Sequence, residues 1–127
     1  MHACGKSLTA TPVCPEVYEG RCTDGGCTRQ CWWLLDGSPA SCAQIGLFNM
    51  GWPAKEFDLV ISGPSHGPNA STIFNLSRGT VGGAFEATLC GKKAISLSFG
   101  SKDPQPPIII HDACKRAVGL VEQLHQR

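Results

Sequence analysis

The sequence predicts an α/β fold with a mostly parallel sheet, and three stretches carry that prediction. Phe57-Asp-Leu-Val-Ile61 is a mostly apolar run that stops at Ser62-Gly-Pro64, as a buried parallel strand ends in a loop. Thr80–Leu89 has helical spacing, and its small residues Gly82, Gly83, Ala84 and Ala87 allow a close seat on a sheet. Ala94-Ile-Ser-Leu-Ser-Phe99 alternates as a second strand. Strand, helix, strand in that order implies parallel pairing through a right-handed crossover.

The remaining elements follow from local signals. Residues 1–30 hold many Cys, Gly, Thr and Pro with no helical or strand period, so they are expected to be loop-like. Trp32-Trp-Leu-Leu35 is a short apolar strand candidate closed by Asp36-Gly37. Ser38-Pro39 is a helix start, with Ser as N-cap and Pro in the first turn. Ala43, Leu47 and Met50 repeat on one face of that helix, and Gly51 can close it in the left-handed region. Asp103-Pro-Gln-Pro-Pro107 is too proline-rich for helix or central strand, and Ile108–Ile110 reads as a short extended piece. Cys114, Ala117, Val118, Val121 and Leu124 then fall on one face of an amphipathic C-terminal helix. Two regions are therefore expected: an irregular Cys/Gly-rich segment over residues 1–31 and an α/β domain over residues 32–127.

Composition narrows the function classes. A chain of 127 residues with 42% hydrophobic and 17% charged residues is globular, with one core. A formal charge of +1 without a basic run argues against a nucleic-acid polymer or a membrane surface as partner. No window is apolar enough to span a bilayer, and Met1–Thr9 lacks the form of a signal peptide, so an intracellular location is favoured. Of the eight cysteines, Cys4, Cys14, Cys22, Cys27 and Cys31 crowd the first quarter. Their spacing is irregular for a structural zinc site, and free thiols or opportunistic disulfides are the alternative. Cys42, Cys90 and Cys114 sit in apolar patterns and read as small core residues.

The segment with most chemistry is Ser62-Gly-Pro-Ser-His-Gly-Pro-Asn69, at the carboxyl end of the first core strand. Ligands of open α/β sheets bind in the crevice at that end. Ser77-Arg-Gly-Thr-Val-Gly-Gly83 then leads into a helix, and a strand-end loop beside a Gly-rich helix start is a phosphate-site pattern.

Five segments now fall in one order: Asp36-Gly-Ser-Pro-Ala-Ser-Cys42, Asp58-Leu-Val-Ile-Ser-Gly-Pro64, Gly67-Pro-Asn69, Gly79-Thr-Val-Gly-Gly-Ala84 and Ala94-Ile-Ser-Leu-Ser98. Together they resemble the SurE-like phosphatase/nucleotidase family over residues 36–127. Ser-Gly-Pro, followed by Cys90-Gly-Lys-Lys-Ala-Ile95, looks most like its fungal-type branch. Gly5-Lys-Ser-Leu-Thr9 is similar to a further family segment, whereas residues 10–31 match none.

The resemblance implies a Rossmann-type three-layer fold, its N-terminal unit incomplete here, and a metal-dependent phosphomonoesterase. Its substrates would be nucleoside monophosphates or related phosphate esters, and a homo-oligomer is implied as well. The cofactor would be Mg²⁺ or Mn²⁺, since hard ions take oxygen ligands, polarise phosphoryl oxygens and activate water. By resemblance, Asn69, Arg78, Gly79 and Thr80 would contact phosphate, and Ser65 stands where the family has an Asn metal ligand. Arg78 replaces a family Ser, and the family's Asp-Asp pair has no counterpart. Impaired metal binding and impaired turnover are therefore expected, and no catalytic residue is assigned.

The residues leave bland alternatives beside these roles. His66 suits a solvent-facing loop, Arg78 a solvated surface position, and Asn69 and Thr80 turn and cap positions. Asp36 and Asp58 could be taken for a carboxylate pair, but Asp58 begins its strand, away from the active end. Three function classes stay open: the metal-dependent hydrolase, a non-catalytic nucleotide-binding or interaction module, and a cysteine-rich zinc module joined to an α/β remnant.

Overall fold

The computed structural model describes residues 7–13, 32–51, 53–67, 79–101 and 103–126. It divides the chain into two units, Met1–Gly37 and Ser38–Arg127. No described helix is long and apolar enough to cross a membrane.

In the first unit, strand β1 (Ala10–Val13) pairs antiparallel with β2 (Trp32–Leu35), Ala10 opposite Leu35 and Val13 opposite Trp32. Asp36 extends the ladder by one step. Its Oδ1 accepts the Thr9 N–H at 2.7 Å, and its own N–H donates to the Thr9 carbonyl at 3.3 Å. The strand over 32–35 agrees with expectation, but residues 10–13, read as loop, do not. Pro12 concealed the strand: proline removes a ladder donor, yet in a two-stranded ribbon each strand has an open edge where this is tolerated.

The second unit carries the parallel pair. Helix α1 (Pro39–Phe48) starts as the Ser-Pro signal predicts, with Ser38 Oγ accepting the Ser41 N–H at 3.2 Å and Pro in the first turn. A single 3₁₀ turn (Ala54–Glu56) leads to strand β3 (Leu59–His66). Helix α2 (Gly79–Leu89) and strand β4 (Lys93–Phe99) match their predicted spans to within a residue. β3 and β4 pair in parallel from Leu59 opposite Lys93, which is the α/β arrangement the sequence predicts.

Helix α3 (Pro107–His125) corrects one expectation. Ile108–Ile110 form its first turn rather than an extended piece, and the N–H groups of Ile109 and Ile110 both donate to the Pro106 carbonyl at 3.0 and 3.2 Å. Proline bars a helix interior but pre-sets the dihedral of a first turn, so Pro107 opens the helix. A second correction concerns the cysteines. Cys42 and Cys90 are only half-buried and Cys114 is exposed, so none is a core residue.

The layers are α1 and α2 on one face of β3–β4 and α3 on the other. The buried residues are small: Thr80, Gly83, Ala84 and Ala87 of α2 lie at helical spacing, joined by Leu47 of α1. This brings backbones close. A Cβ built on Gly83 would sit 2.6 Å from Ser62 Oγ and 3.2 Å from the Pro39 carbonyl oxygen, so the helix is seated on strand and neighbouring helix at a distance only glycine permits. Gly82, next along α2, faces open space.

These adjacent glycines should respond with opposite sign. Gly82→Ala adds helix propensity and is expected to stabilise by about 0.5–1 kcal/mol. Gly83→Ala overpacks the contact and is expected to destabilise by about 1–3 kcal/mol. Urea denaturation of the two variants checks the difference.

Candidate functional site

The strand end differs from the loop that the sequence suggests. β3 does not stop at Ile61 but runs on through Ser62, Gly63, Pro64 and Ser65 to His66. An irregularity between Ser62 and Ser65 shifts the register, after which Ser65 faces Ser98 and His66 faces Phe99. The Gly67 N–H then donates to the Phe99 carbonyl at 3.1 Å and closes the pair. A bulge re-aims side chains without ending a strand, so turn-forming residues here mark a kink rather than a stop.

Gly63 makes the kink possible. Its φ is +112°, and a Cβ there would run into the Leu97 carbonyl oxygen and lie 3.0 Å from Thr80 Cγ2. The methyl of Thr80 therefore covers Gly63, two residues before Ser65. On its other side the start of α2 meets the start of α1, since a Cβ on Gly79 would come within 2.8 Å of Pro39 Cγ. The kinked strand and two helix N-termini thus converge on one place.

Two hydroxyl groups there differ in their hydrogen bonding. Thr80 is only 9% exposed, yet its side chain has no hydrogen-bond partner among the described residues. No buried side-chain oxygen or nitrogen of the described residues lacks a partner, so the Thr80 hydroxyl still reaches solvent. It lies in the first turn of an 11-residue helix, where backbone N–H groups have no intrahelical acceptor and the dipole favours negative charge. By contrast, Ser65 Oγ donates to Ser98 Oγ at 3.1 Å, and Ser98 Oγ donates to the Ser65 carbonyl at 3.4 Å.

Of the residues singled out in the sequence, Ser65, Gly79 and Thr80 stand at this convergence. Asn69 and Arg78 lie outside the described residues. His66 is exposed, as a solvent-facing residue should be, and Asp58 precedes β3 at the end away from Ser65. Asp36 holds the Thr9 amide in the first unit. The sequence did not single out Ser98. Alternation in β4 was visible, but which residue of β4 faces Ser65 depends on the register shift.

Mg²⁺ or Mn²⁺ would need hard oxygen donors. Ser65 offers one neutral hydroxyl oxygen, and a single such donor does not make a site that fits either ion. No group of three or more His, Cys, Asp or Glu suited to a metal is gathered among the described residues.

Comparison with known proteins extends the resemblance beyond these segments. The family model described as Survival protein SurE matches residues 2–127. The chain belongs to the SurE family. The match takes in residues 10–31, which by themselves resembled no family segment. Among curated relatives, a probable tubulin–tyrosine ligase of Saccharomyces cerevisiae, PBY1, is 42% identical over 97 residues, covering 73% of this chain and 13% of the relative. The yeast match is in keeping with the fungal-type branch of the SurE family. The 5'-nucleotidase SurE of Desulforudis audaxviator is 37% identical over 100 residues, covering 78% of this chain and 36% of the relative. That of Prochlorococcus marinus is 45% identical over 69 residues, covering 54% and 24%. The chain thus spans 36% or less of the length of each of these three relatives.

The state of Thr80 gives a stability test. Removing a hydroxyl without a partner among the described residues costs no hydrogen bond to any of them. Thr80→Val is expected to change stability by less than about 1 kcal/mol, read from thermal unfolding.

Proposed function

We propose that this chain contributes the strand-end and helix-start part of a SurE-type phosphomonoesterase that hydrolyses nucleoside monophosphates or related phosphate esters. The observation that carries the proposal is the Thr80 hydroxyl, which has no described protein partner yet is held at the N-terminus of α2 against the kink of β3. A phosphate oxygen suits that place, because free helix N–H groups and a hydroxyl donor together satisfy an anion. The SurE relatives named as 5'-nucleotidases support the choice of a nucleotide ester.

The division of labour follows from the residues. Gly79 and Thr80 bind the phosphate through first-turn amides and the hydroxyl. Asn69 and Arg78 add contacts from the segment before the helix, Arg78 as a bidentate cation. Ser65 offers an oxygen to Mg²⁺ or Mn²⁺. The ion, when bound, polarises the phosphoryl group and activates water. With Ser65 in place of the family Asn and no carboxylate pair among these residues, ion binding by this chain alone is weak and turnover is impaired.

Phosphate release from nucleoside monophosphates, with and without Mn²⁺, tests the proposal. Slow release that Mn²⁺ stimulates is expected, and Thr80→Val should lower kcat/KM by about tenfold to a hundredfold, the worth of a hydrogen bond to a charged group. A folded, Mn²⁺-loaded sample that binds a nucleoside monophosphate without releasing phosphate would instead favour a non-catalytic binding module.

A further inference from the structure

We propose that Gly63 is a positioning residue for Thr80: its bare Cα receives the Thr80 methyl group and thereby fixes the direction of the Thr80 hydroxyl. The inference rests on the reading of Thr80 as a phosphate donor and says why that donor is a threonine.

A threonine carries its methyl and its hydroxyl on one Cβ, so the torsion that places one places the other. Within a helix that torsion divides between two rotamers, because the hydroxyl can turn back to a carbonyl of the preceding turn. Thr80 is the second residue of α2 and has no preceding helical turn to bond. Its hydroxyl has no hydrogen-bond partner among the described residues, so hydrogen bonding to them does not orient the side chain. Packing does. Thr80 Cγ2 lies 3.0 Å from the position that a Cβ on Gly63 would take, so the methyl stands where any other residue at 63 would place its own side chain. Gly63 is in turn set against the Leu97 carbonyl at a φ of +112°. With the side chain only 9% exposed, a turn about χ1 would take the methyl off Gly63 into space that is already filled. The donor is therefore held in one direction before phosphate arrives, and binding forfeits little rotamer freedom.

Gly63→Ala would also collide with the Leu97 carbonyl, so Thr80→Ser is the cleaner test: it keeps the hydroxyl and removes the methyl. A side chain released among three staggered rotamers spends about a third of its time in the binding one. Inorganic phosphate binding to the full chain, followed by phosphorus nuclear magnetic resonance, should weaken about threefold in Thr80→Ser. It should weaken about tenfold or more in Thr80→Val, which keeps the packing and lacks the donor. Circular dichroism should show both variants folded. Three-bond couplings from Thr80 Cγ2 to its backbone nitrogen and carbonyl carbon read the torsion directly, and should show a single rotamer in the unsubstituted chain before phosphate is added. Averaged couplings would remove the role of Gly63 and leave the phosphate reading in place. So would a Thr80→Ser variant that binds as tightly as the unsubstituted chain while Thr80→Val does not. If Thr80→Val also binds undiminished, or the unsubstituted chain binds no phosphate, the reading beneath the inference falls with it.

Discussion

The close seat of α2 on the kinked end of β3 is the constraint on which the second unit depends. Gly63 turns through a φ of +112° to pass the Leu97 carbonyl, and Gly83 lies against Ser62 without a side chain between them. Without this approach, Thr80 would not cover Gly63, and the first turn of α2 would not face the strand end. The same approach sets the character of the core. Among the described residues its buried members are Leu47, Thr80, Gly83, Ala84 and Ala87, so these elements meet by short backbone-to-backbone contact rather than by large interlocking side chains. Close packing and site geometry are here one feature.

The opposite face of the sheet is packed in another way. Ile61, Leu97 and Phe99 look toward Cys114, Val118 and Val121 of α3 across an apolar groove of about 260 Å³. Ile61 and Val118 remain 48% and 57% exposed. Each such side chain forgoes part of the roughly 1.5–3 kcal/mol that full burial would contribute. The tight face therefore positions the proposed phosphate site, while the open face contributes less to stability than its apolar composition would allow.

Much of this was legible in the sequence where a local rule acts alone. Ser38-Pro39 signals a helix start because cap and first turn are set by adjacent residues. The small residues of α2 and the alternation of β4 likewise announce their elements without help from distant partners. Non-local geometry was not legible. β1 depends on a partner about twenty residues away and is interrupted by Pro12. The run Ser62-Gly-Pro-Ser-His66 carries every mark of a loop, and only pairing with β4 keeps it a strand. Ser98 was invisible for the same reason, since the register shift between Ser62 and Ser65 decides which hydroxyl faces it. Ile108–Ile110 show the reverse error: the proline-rich segment before them suggested an extended piece, but Pro107 opens a helix through them.

The proposed function depends on phosphate binding where the first turn of α2 meets the kink of β3. Nuclear magnetic resonance of the ¹⁵N-labelled chain, titrated with inorganic phosphate, reads this directly because the proposed donors are backbone amides. Saturable amide shifts concentrated at Gly79, Thr80 and Val81 are expected, with smaller ones at Ser65 and Gly67. Shifts confined to other parts of the chain, or none as phosphate is raised at constant ionic strength, would contradict it.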